Sequence, residues 1–569
     1  MNLLLGSWCV TTVCRGKLAK VLFVKSANNG DHPTNGIGGG TATNASTDTT
    51  VASSTGTTGT ANTAGSAAGT ASPANAELRT VRMGTLVSLI VGSCVGAGIF
   101  ALPQNVAMVA SPGAAMIGWA ITGVGMLCIA YVFQALATRK PHLDSGVYSY
   151  VRAGLGDFVG FASAWGYWLG TIIAQVGYAT LFFSSLGFFI PLFDGSRPLT
   201  QAFFVSALTW TIFLVLSRGV RQAAVLNVVA TVAKVLPIAA FLILVAFLGF
   251  NPEIFTADFW GHAATFGENQ DQSATLMDQV KGMMLFTVWA FIGVEGASTY
   301  SKRARNRKDI SLATFIGFVV VFFLLTAVSF LSYGVVSREE LAAMGDNSMA
   351  AVLEATVGSW GAGLISVGLC ISVLGAYVSW QMLCAEPITL MAQDRLLPKI
   401  IGKTNALGAP VVAQLCSAVV IQAFTVVFYL NESTYTTMVQ LATSLYLLPY
   451  VFSSLYLIFL TTRGSGIAHP DAGRKFDLSG PEVSSSTNSV HMVLGFVAFF
   501  YSLWLLYAAE LRFVLLGTLL ILPGLIIYVC TRVKSGGRIF NLFEWFIAVV
   551  VVVCALYSLY AILTGTLEL

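Results

Sequence analysis

Three glycines, a tryptophan, a glutamate and a lysine, all set in apolar sequence, are the residues of this chain with chemistry to offer. Val91–Phe100 reads V-G-S-C-V-G-A-G-I-F inside an apolar run from Leu86 to Ala110. A helix spanning a bilayer takes roughly 20 apolar residues, so the run is long enough. Yet Gly92, Gly96 and Gly98 crowd its middle, and each Gly costs a helix about 1 kcal/mol relative to Ala. A break in lipid strands backbone N–H and C=O groups, which is tolerated only where they are buried in protein or line a cavity. Freed N–H groups at the start of a second half-helix would attract an anion such as a carboxylate. The alternative is a glycine face that lets two unbroken helices pack closely.

A second stretch, Phe286–Ser298, reads F-T-V-W-A-F-I-G-V-E-G-A-S and flanks an acid, Glu295, with Gly293 and Gly296. An ionised acid at the bilayer centre costs about 2.5–3.5 kcal/mol, so Glu295 is read as functional or as a hydrogen bond across a broken helix. Trp289, three residues before Ile292-Gly293, offers its face to a cation, an interaction of about 2 kcal/mol when desolvated. With eleven Trp in the chain, packing is its alternative role. Tyr167, Thr171 and Gln175 recur at i, i+4 and i+8 in Y-W-L-G-T-I-I-A-Q and so share one helix face. Lys234, in T-V-A-K-V-L-P, has apolar neighbours on both sides and is too far from a polar flank to snorkel.

The elements that must position these residues are membrane helices. The chain of 569 residues is 56% hydrophobic and 10% charged, against about 25% charged in a soluble domain. The sequence predicts thirteen spans: about 83–110, 113–137, 155–186, 201–217, 223–249, 277–299, 311–334, 360–391, 409–430, 434–461, 491–509, 513–531 and 541–564. Residues 1–78 form a tail whose Gly/Thr/Ala/Asn/Ser tract has little to bury, and it is expected to be disordered. The links that would be cytoplasmic with an inside N-terminus carry 19 Lys/Arg against four on the other side (Arg197, Lys281, Arg338, Arg512). That bias predicts the N-terminus inside and the C-terminus outside. The cluster Lys302, Arg303, Arg305, Arg307 and Lys308 then reads as a cytoplasmic flank, not a nucleic-acid patch. Nine cysteines without metal-ligand spacing and five histidines outside or at the ends of the runs point to no metal, no cofactor and no disulfide framework. Nothing resembles a nucleophile–base pair or a phosphate loop, so an enzyme is not expected.

The two glycine-broken spans are the first and the sixth. Five helices per repeat invert the second repeat relative to the first, and breaks at matching places in inverted halves point to a transporter's midplane site. The residues G-S-C-V-G-A-G-I-F-A-L-P-Q-N and W-A-F-I-G-V-E-G-A-S resemble the amino acid–polyamine–organocation superfamily. Within it they are similar to the basic amino acid antiporter branch and its arginine/ornithine exchangers. The resemblance runs from about Arg79 to the C-terminus. It implies an all-α polytopic membrane protein with a five-plus-five inverted-repeat fold, helices 1 and 6 broken. The expected division is 79–250 for the first repeat, 251–465 for the second and 466–569 for accessory helices.

What else the resemblance implies falls on named positions. Cys94, Gly96, Ala97 and Gly98 would cradle the substrate backbone, the N–H groups of Ala97 and Gly98 holding the α-carboxylate. The carbonyls of Cys94, Trp289 and Ile292 would take the α-ammonium. The side chain would cross Trp289, with Tyr167, Thr171, Gln175 and Trp380 lining its pocket; Trp380 is aligned from Asp394-Arg395-Leu396-Leu397-Pro398. Relatives often have Ser at Ala97 and commonly Asn at Gln175. Glu295 would gate or couple, and Lys234 would stand where sodium-coupled members of the fold hold a cation, with Glu386 a further partner for a cation. The expected activity is sodium-independent exchange of cationic amino acids, arginine for ornithine first, in a cytoplasmic (inner) membrane. Proton-coupled uptake of lysine, arginine, another amino acid or a polyamine is the alternative, and a membrane amino-acid sensor or a channel the competing class. The partners expected are the cationic amino acid and the lipid bilayer, with a homo-oligomer left open.

Overall fold

In a computed structural model the described residues run from 83 to 567, omitting 144–145, 194–195, 219–233, 262–274, 296–306, 432–434 and 464–480. The expected disordered tail, the basic cluster 302–305 and Gly296 therefore lie outside the described residues. All regular structure among those described is helical: α1 Met83–Cys94, α2 Gly98–Ala107, α3 Pro112–Arg139, α4 Gly146–Leu155, α5 Asp157–Leu186 and α6 Pro198–Ser217 come first. They are followed by α7 Lys234–Gly249, α8 Pro252–Ala257, α9 Leu276–Phe291, α10 Arg307–Ser332, α11 Arg338–Ala343 and α12 Ser348–Val357. The remainder are α13 Ser359–Gln393, α14 Val411–Leu430, α15 Tyr435–Arg463, α16 Ser485–Ala508, α17 Leu511–Ser535 and α18 Leu542–Leu563.

Ten of these helices are long and apolar enough to cross a membrane, and α1 with α2, bent by 48° at their break, makes an eleventh. The fifth predicted span is represented by α7 and the sixth by α9 with the turn at 292–295; residues 223–233 and 296–299 lie outside the described residues. The least apolar of the ten, α5, is the most buried (78% of its apolar window), whereas the most apolar, α18, is only 22% buried. Lipid is as apolar as any side chain, so interior helices are selected for small and polar groups that pack and hydrogen-bond, and peripheral ones for hydrophobicity. Accordingly α5 lies between α13 and α15. A Cβ at Gly170 would stand 3.1 Å from the Ala442 carbonyl oxygen of α15, so the two backbones approach closely there.

One end of the bundle carries the basic links and an ion-pair network. Arg152 on α4 holds Asp157 at 2.7 Å and Asp394, at the end of α13, at 2.6 Å. Asp394 also accepts from the Tyr148 hydroxyl (2.7 Å), and Arg532 of α17 pairs with Asp157. Glu544 of α18 accepts from the Phe158 amide at 2.8 Å and from the Asn541 amide at 2.7 Å. One buried carboxylate thereby caps the start of α5 and that of its own helix.

The opposite end is built on α2. Pro103 lacks an N–H and disturbs the ladder of this short helix. At the next residue the Ser348 hydroxyl, first residue of α12, replaces the lost helical bond: it donates to the Phe100 carbonyl (3.3 Å) and accepts from the Gln104 amide (3.2 Å). Beyond it, Arg338 donates to the Ala107 carbonyl at 3.1 Å and Tyr333 to the Ala110 carbonyl at 2.7 Å. Arg338 thus holds the last carbonyl of α2, one of those a helix leaves unsatisfied, and Tyr333 holds the chain just beyond it.

Candidate functional site

The break between α1 and α2 is a tight turn in which the Gly96 amide donates to the Cys94 carbonyl at 2.8 Å. Ala97 stands at the N-cap of α2 without a side-chain cap; the Phe100 amide donates to the Ala97 carbonyl at 3.2 Å, and the amides of Gly98 and Ile99, with no helical acceptor, can meet a ligand. The second break follows α9. Gly293 adopts φ +112°, a conformation costly for any residue with a Cβ, and a Cβ there would also come within 2.8 Å of the Ser93 carbonyl oxygen. The two breaks touch: the Ser93 hydroxyl donates to the Gly293 carbonyl at 3.1 Å. Gly98 faces Trp289, where an added Cβ would lie 2.9 Å from the indole Cδ1. Both glycines are therefore required by contact between the breaks.

Glu295, 3% exposed, is held from three directions. It accepts from the Tyr167 hydroxyl of α5 at 3.1 Å, from the Tyr450 hydroxyl of α15 at 3.0 Å and from the Gly293 amide at 3.0 Å. A buried carboxylate needs such donors, and here they tie the second break to both neighbouring helices. Thr171 shares a 2.8 Å hydrogen bond with the Tyr446 hydroxyl, and Tyr446 meets Tyr167 and Trp380 edge-on at 4.9 and 6.4 Å between centroids. Trp289 meets Tyr178 at 5.9 Å. The Tyr178 hydroxyl oxygen would lie 3.4 Å from a Cβ on Gly96, which puts it beside the first break.

Lys234, 2% exposed, comes from α7 to the end of α1. Its ammonium donates to the carbonyls of Gly92 (2.6 Å) and Val95 (2.5 Å). It supplies positive charge to two oxygens at the negative end of a half-helix dipole.

The structure therefore brings Cys94, Gly96, Ala97, Gly98, Trp289, Ile292 and Glu295 together around the paired breaks, with Tyr167 at Glu295 and Thr171 and Trp380 at Tyr446. It places other predicted residues less simply. Gln175 donates to the Tyr377 carbonyl of α13 at 2.9 Å, while its buried side-chain oxygen has no partner among the described residues. One end of this side chain is used in helix packing. The Cys94 carbonyl, expected for the α-ammonium, already accepts from Gly96 and has one lone pair left. Glu386 is half-buried on α13.

Sequence reading missed Tyr178, Tyr446 and Tyr450. The signal was present. Tyr167 and Tyr178 on α5, and Tyr435 and Tyr446 on α15, each stand eleven residues apart, which is close to three turns at 3.6 residues each and sets each pair on one face. Buried phenols need hydroxyl partners, and two such pairs in packed helices point at one another.

Comparison with known proteins bears on this geometry. Residues 83–512 match the amino acid permease family. The L-lysine transport protein of Corynebacterium glutamicum is 59% identical over 87% of this chain and 98% of its own length. The arginine/ornithine antiporter of Pseudomonas aeruginosa is 44% identical over 86% of this chain and 98% of its own. The arginine/agmatine antiporter of Chlamydia pneumoniae is 34% identical over 80% of this chain and 91% of its own.

Proposed function

Since the chain belongs to the amino acid permease family of the amino acid–polyamine–organocation superfamily, we propose that it is a sodium-independent carrier of cationic amino acids across the cytoplasmic membrane. L-lysine and L-arginine are its substrates, and exchange, by alternating access, is its mode. Its relatives are named for lysine, for arginine with ornithine and for arginine with agmatine. All of these solutes carry a cation on an aliphatic stem. The observation that carries the reading is the pairing of the two breaks: uncapped amides of α2 on one side suit a carboxylate, and Trp289 with buried Glu295 on the other suits a cation.

The substrate's α-carboxylate meets the first turn of α2, and its stem crosses Trp289 toward Tyr446, Thr171 and Trp380. Glu295, bonded to α5 and α15 at once, must exchange those bonds when the helices part, which makes it the gating group. Sodium independence rests on Lys234: an ammonium already occupies the two carbonyl oxygens where a metal cation would bind. The excess of Lys and Arg on one set of links turns the basic end to the cytoplasm and the α11–α12 end outward.

Counterflow tests the reading. Proteoliposomes loaded with lysine, arginine or ornithine should accumulate labelled lysine and arginine without sodium, and faster than empty ones. A strict sodium requirement would sink the role given to Lys234. Equal uptake into empty vesicles would favour the second reading, net lysine uptake, which the 59% identity to a lysine transport protein supports.

A further inference from the structure

Tyr446 is the phenol that joins the second break to the side-chain pocket. It stands on α15 one turn before Tyr450, which bonds Glu295 at 3.0 Å. Its ring meets Tyr167 edge-on at 4.9 Å and Trp380 at 6.4 Å between centroids. The ring, 1% exposed, fits because α5 has no side chain there: a Cβ at Gly170 would lie 3.2 Å from its Cδ2 and Cε2.

The direction of one proton decides what this phenol can bind. Thr171 and Tyr446 share a 2.8 Å hydrogen bond in which either oxygen could donate. Thr171 has a second bond, also of 2.8 Å, to the Tyr167 carbonyl one turn back on α5, and there it can only be the donor. This is the back-bond that helical threonines commonly make. A hydroxyl has one proton. With that of Thr171 given to Tyr167, the shared bond must run from Tyr446 to Thr171. Tyr446 makes no other hydrogen bond among the described residues, so its oxygen presents lone pairs alone. A buried acceptor of this kind calls for a donor, and an ammonium has only donors.

The neighbouring acceptors favour one cation over another. Glu295 would match the fork of a guanidinium, but its Oε1 is held by Tyr167 and its Oε2 by Tyr450 and the Gly293 amide. What stays open is single oxygens: that of Tyr446, and that of Gln175, one turn beyond Thr171 on α5, which is buried with no partner among the described residues. Separate oxygens suit the point charge of an ammonium with its rotatable donors, whereas a planar guanidinium gains most from a paired acceptor. We propose that the Tyr446 hydroxyl oxygen, made an acceptor by Thr171, receives the side-chain ammonium of the substrate and selects L-lysine over L-arginine. This selection rests on the cationic-substrate reading and names the preferred member of that class.

Counterflow into proteoliposomes, with KM measured for labelled L-lysine and L-arginine, is the test. Wild type should show the lower KM for lysine. Tyr446→Phe keeps the ring against Gly170, Tyr167 and Trp380 and removes only the oxygen. It should raise KM about tenfold for lysine and about threefold for arginine. Thr171→Val takes away the acceptor of the Tyr446 proton and should raise KM for lysine about threefold. The double variant should be no worse than Tyr446→Phe alone, because the two residues act through one bond. An unchanged lysine KM in Tyr446→Phe overturns the assignment, as do equal losses for both substrates, the result of a packing role, and additive losses in the double variant. If neither variant inserts, wild type decides. Nε-trimethyl-L-lysine keeps the charge and the stem but has no side-chain N–H; it should bind at least about tenfold more weakly than lysine, and equal binding overturns the assignment. Wild-type protein that transports neither lysine nor arginine overturns the cationic-substrate reading itself. Transport of both, with their KM ratio unmoved by Tyr446→Phe, overturns only the selection by Tyr446.

Discussion

Trp289 is fixed at the residue scale by a contact that only glycine permits. A Cβ at Gly98 would fall 2.9 Å from its Cδ1, so the indole is seated against the first turn of α2. Removing the ring by Trp289→Leu should forfeit about 2 kcal/mol of cation–π attraction, or roughly 30-fold in arginine affinity. Gly98→Ala should reproduce much of that loss by pushing the ring from its seat. Calorimetric titration of both variants checks this, and unchanged affinity would make Trp289 a packing residue. Asp346 yields a pH prediction. Burial raises its carboxyl from 3.8 to about 6, so in that window the native protein binds more protons than the unfolded chain. Stability therefore falls as pH rises through the window, and the penalty persists above it. Asp346→Asn escapes the penalty. Its melting temperature should exceed that of wild type at neutral pH, with the gap closing as pH falls below about 6. Melting curves in detergent across this range, giving no gap at neutral pH, would remove the argument that Asp346 is held against a cost.

At the scale of elements, the broken helices need outside help, and each break receives it from a different neighbour. Helix α1 ends on the ammonium of Lys234, α2 on Ser348, Arg338 and Tyr333, and the turn after α9 on Tyr167 and Tyr450 through Glu295. Each partner comes from an element distant in sequence, so the breaks are properties of the assembled bundle. Lys234→Met keeps the apolar stem and removes the donor, leaving two buried carbonyls unsatisfied at about 1–3 kcal/mol each. It should lower the melting temperature and abolish exchange, and sodium should not restore transport. Restoration by sodium would show that Lys234 merely fills a cation site that the fold still retains.

For the whole molecule, the burial gradient from α5 at the centre to α18 at the rim matches a bundle solvated by lipid. The Glu544 link from α18 to the start of α5 makes the last helix part of the assembly. The thirteen crossings expected from the sequence, an odd number, would send the chain termini to opposite sides. Single cysteines replacing Ser535 and Thr566, which flank α18, should be labelled from the cytoplasm and from outside respectively. Labelling of both from one side would remove α18 as a crossing helix.

Class, span positions and the two breaks were legible in the sequence. Helix in lipid must satisfy its own backbone, so apolar length reveals spans, and glycine where helix is required reveals breaks. Glu295, Trp289 and Lys234 were legible for the same reason: each is expensive or conspicuous in an apolar run. What each one touches was decided by tertiary structure. Tyr167 and Tyr450 lie 128 and 155 residues from the Glu295 they bond, and no local pattern links them. Gln175, on the predicted face, spends its amide nitrogen on the Tyr377 carbonyl because α13 packs there. Periodicity reports which face of a helix is polar, and only packing determines which polar groups meet and which are left waiting for a ligand.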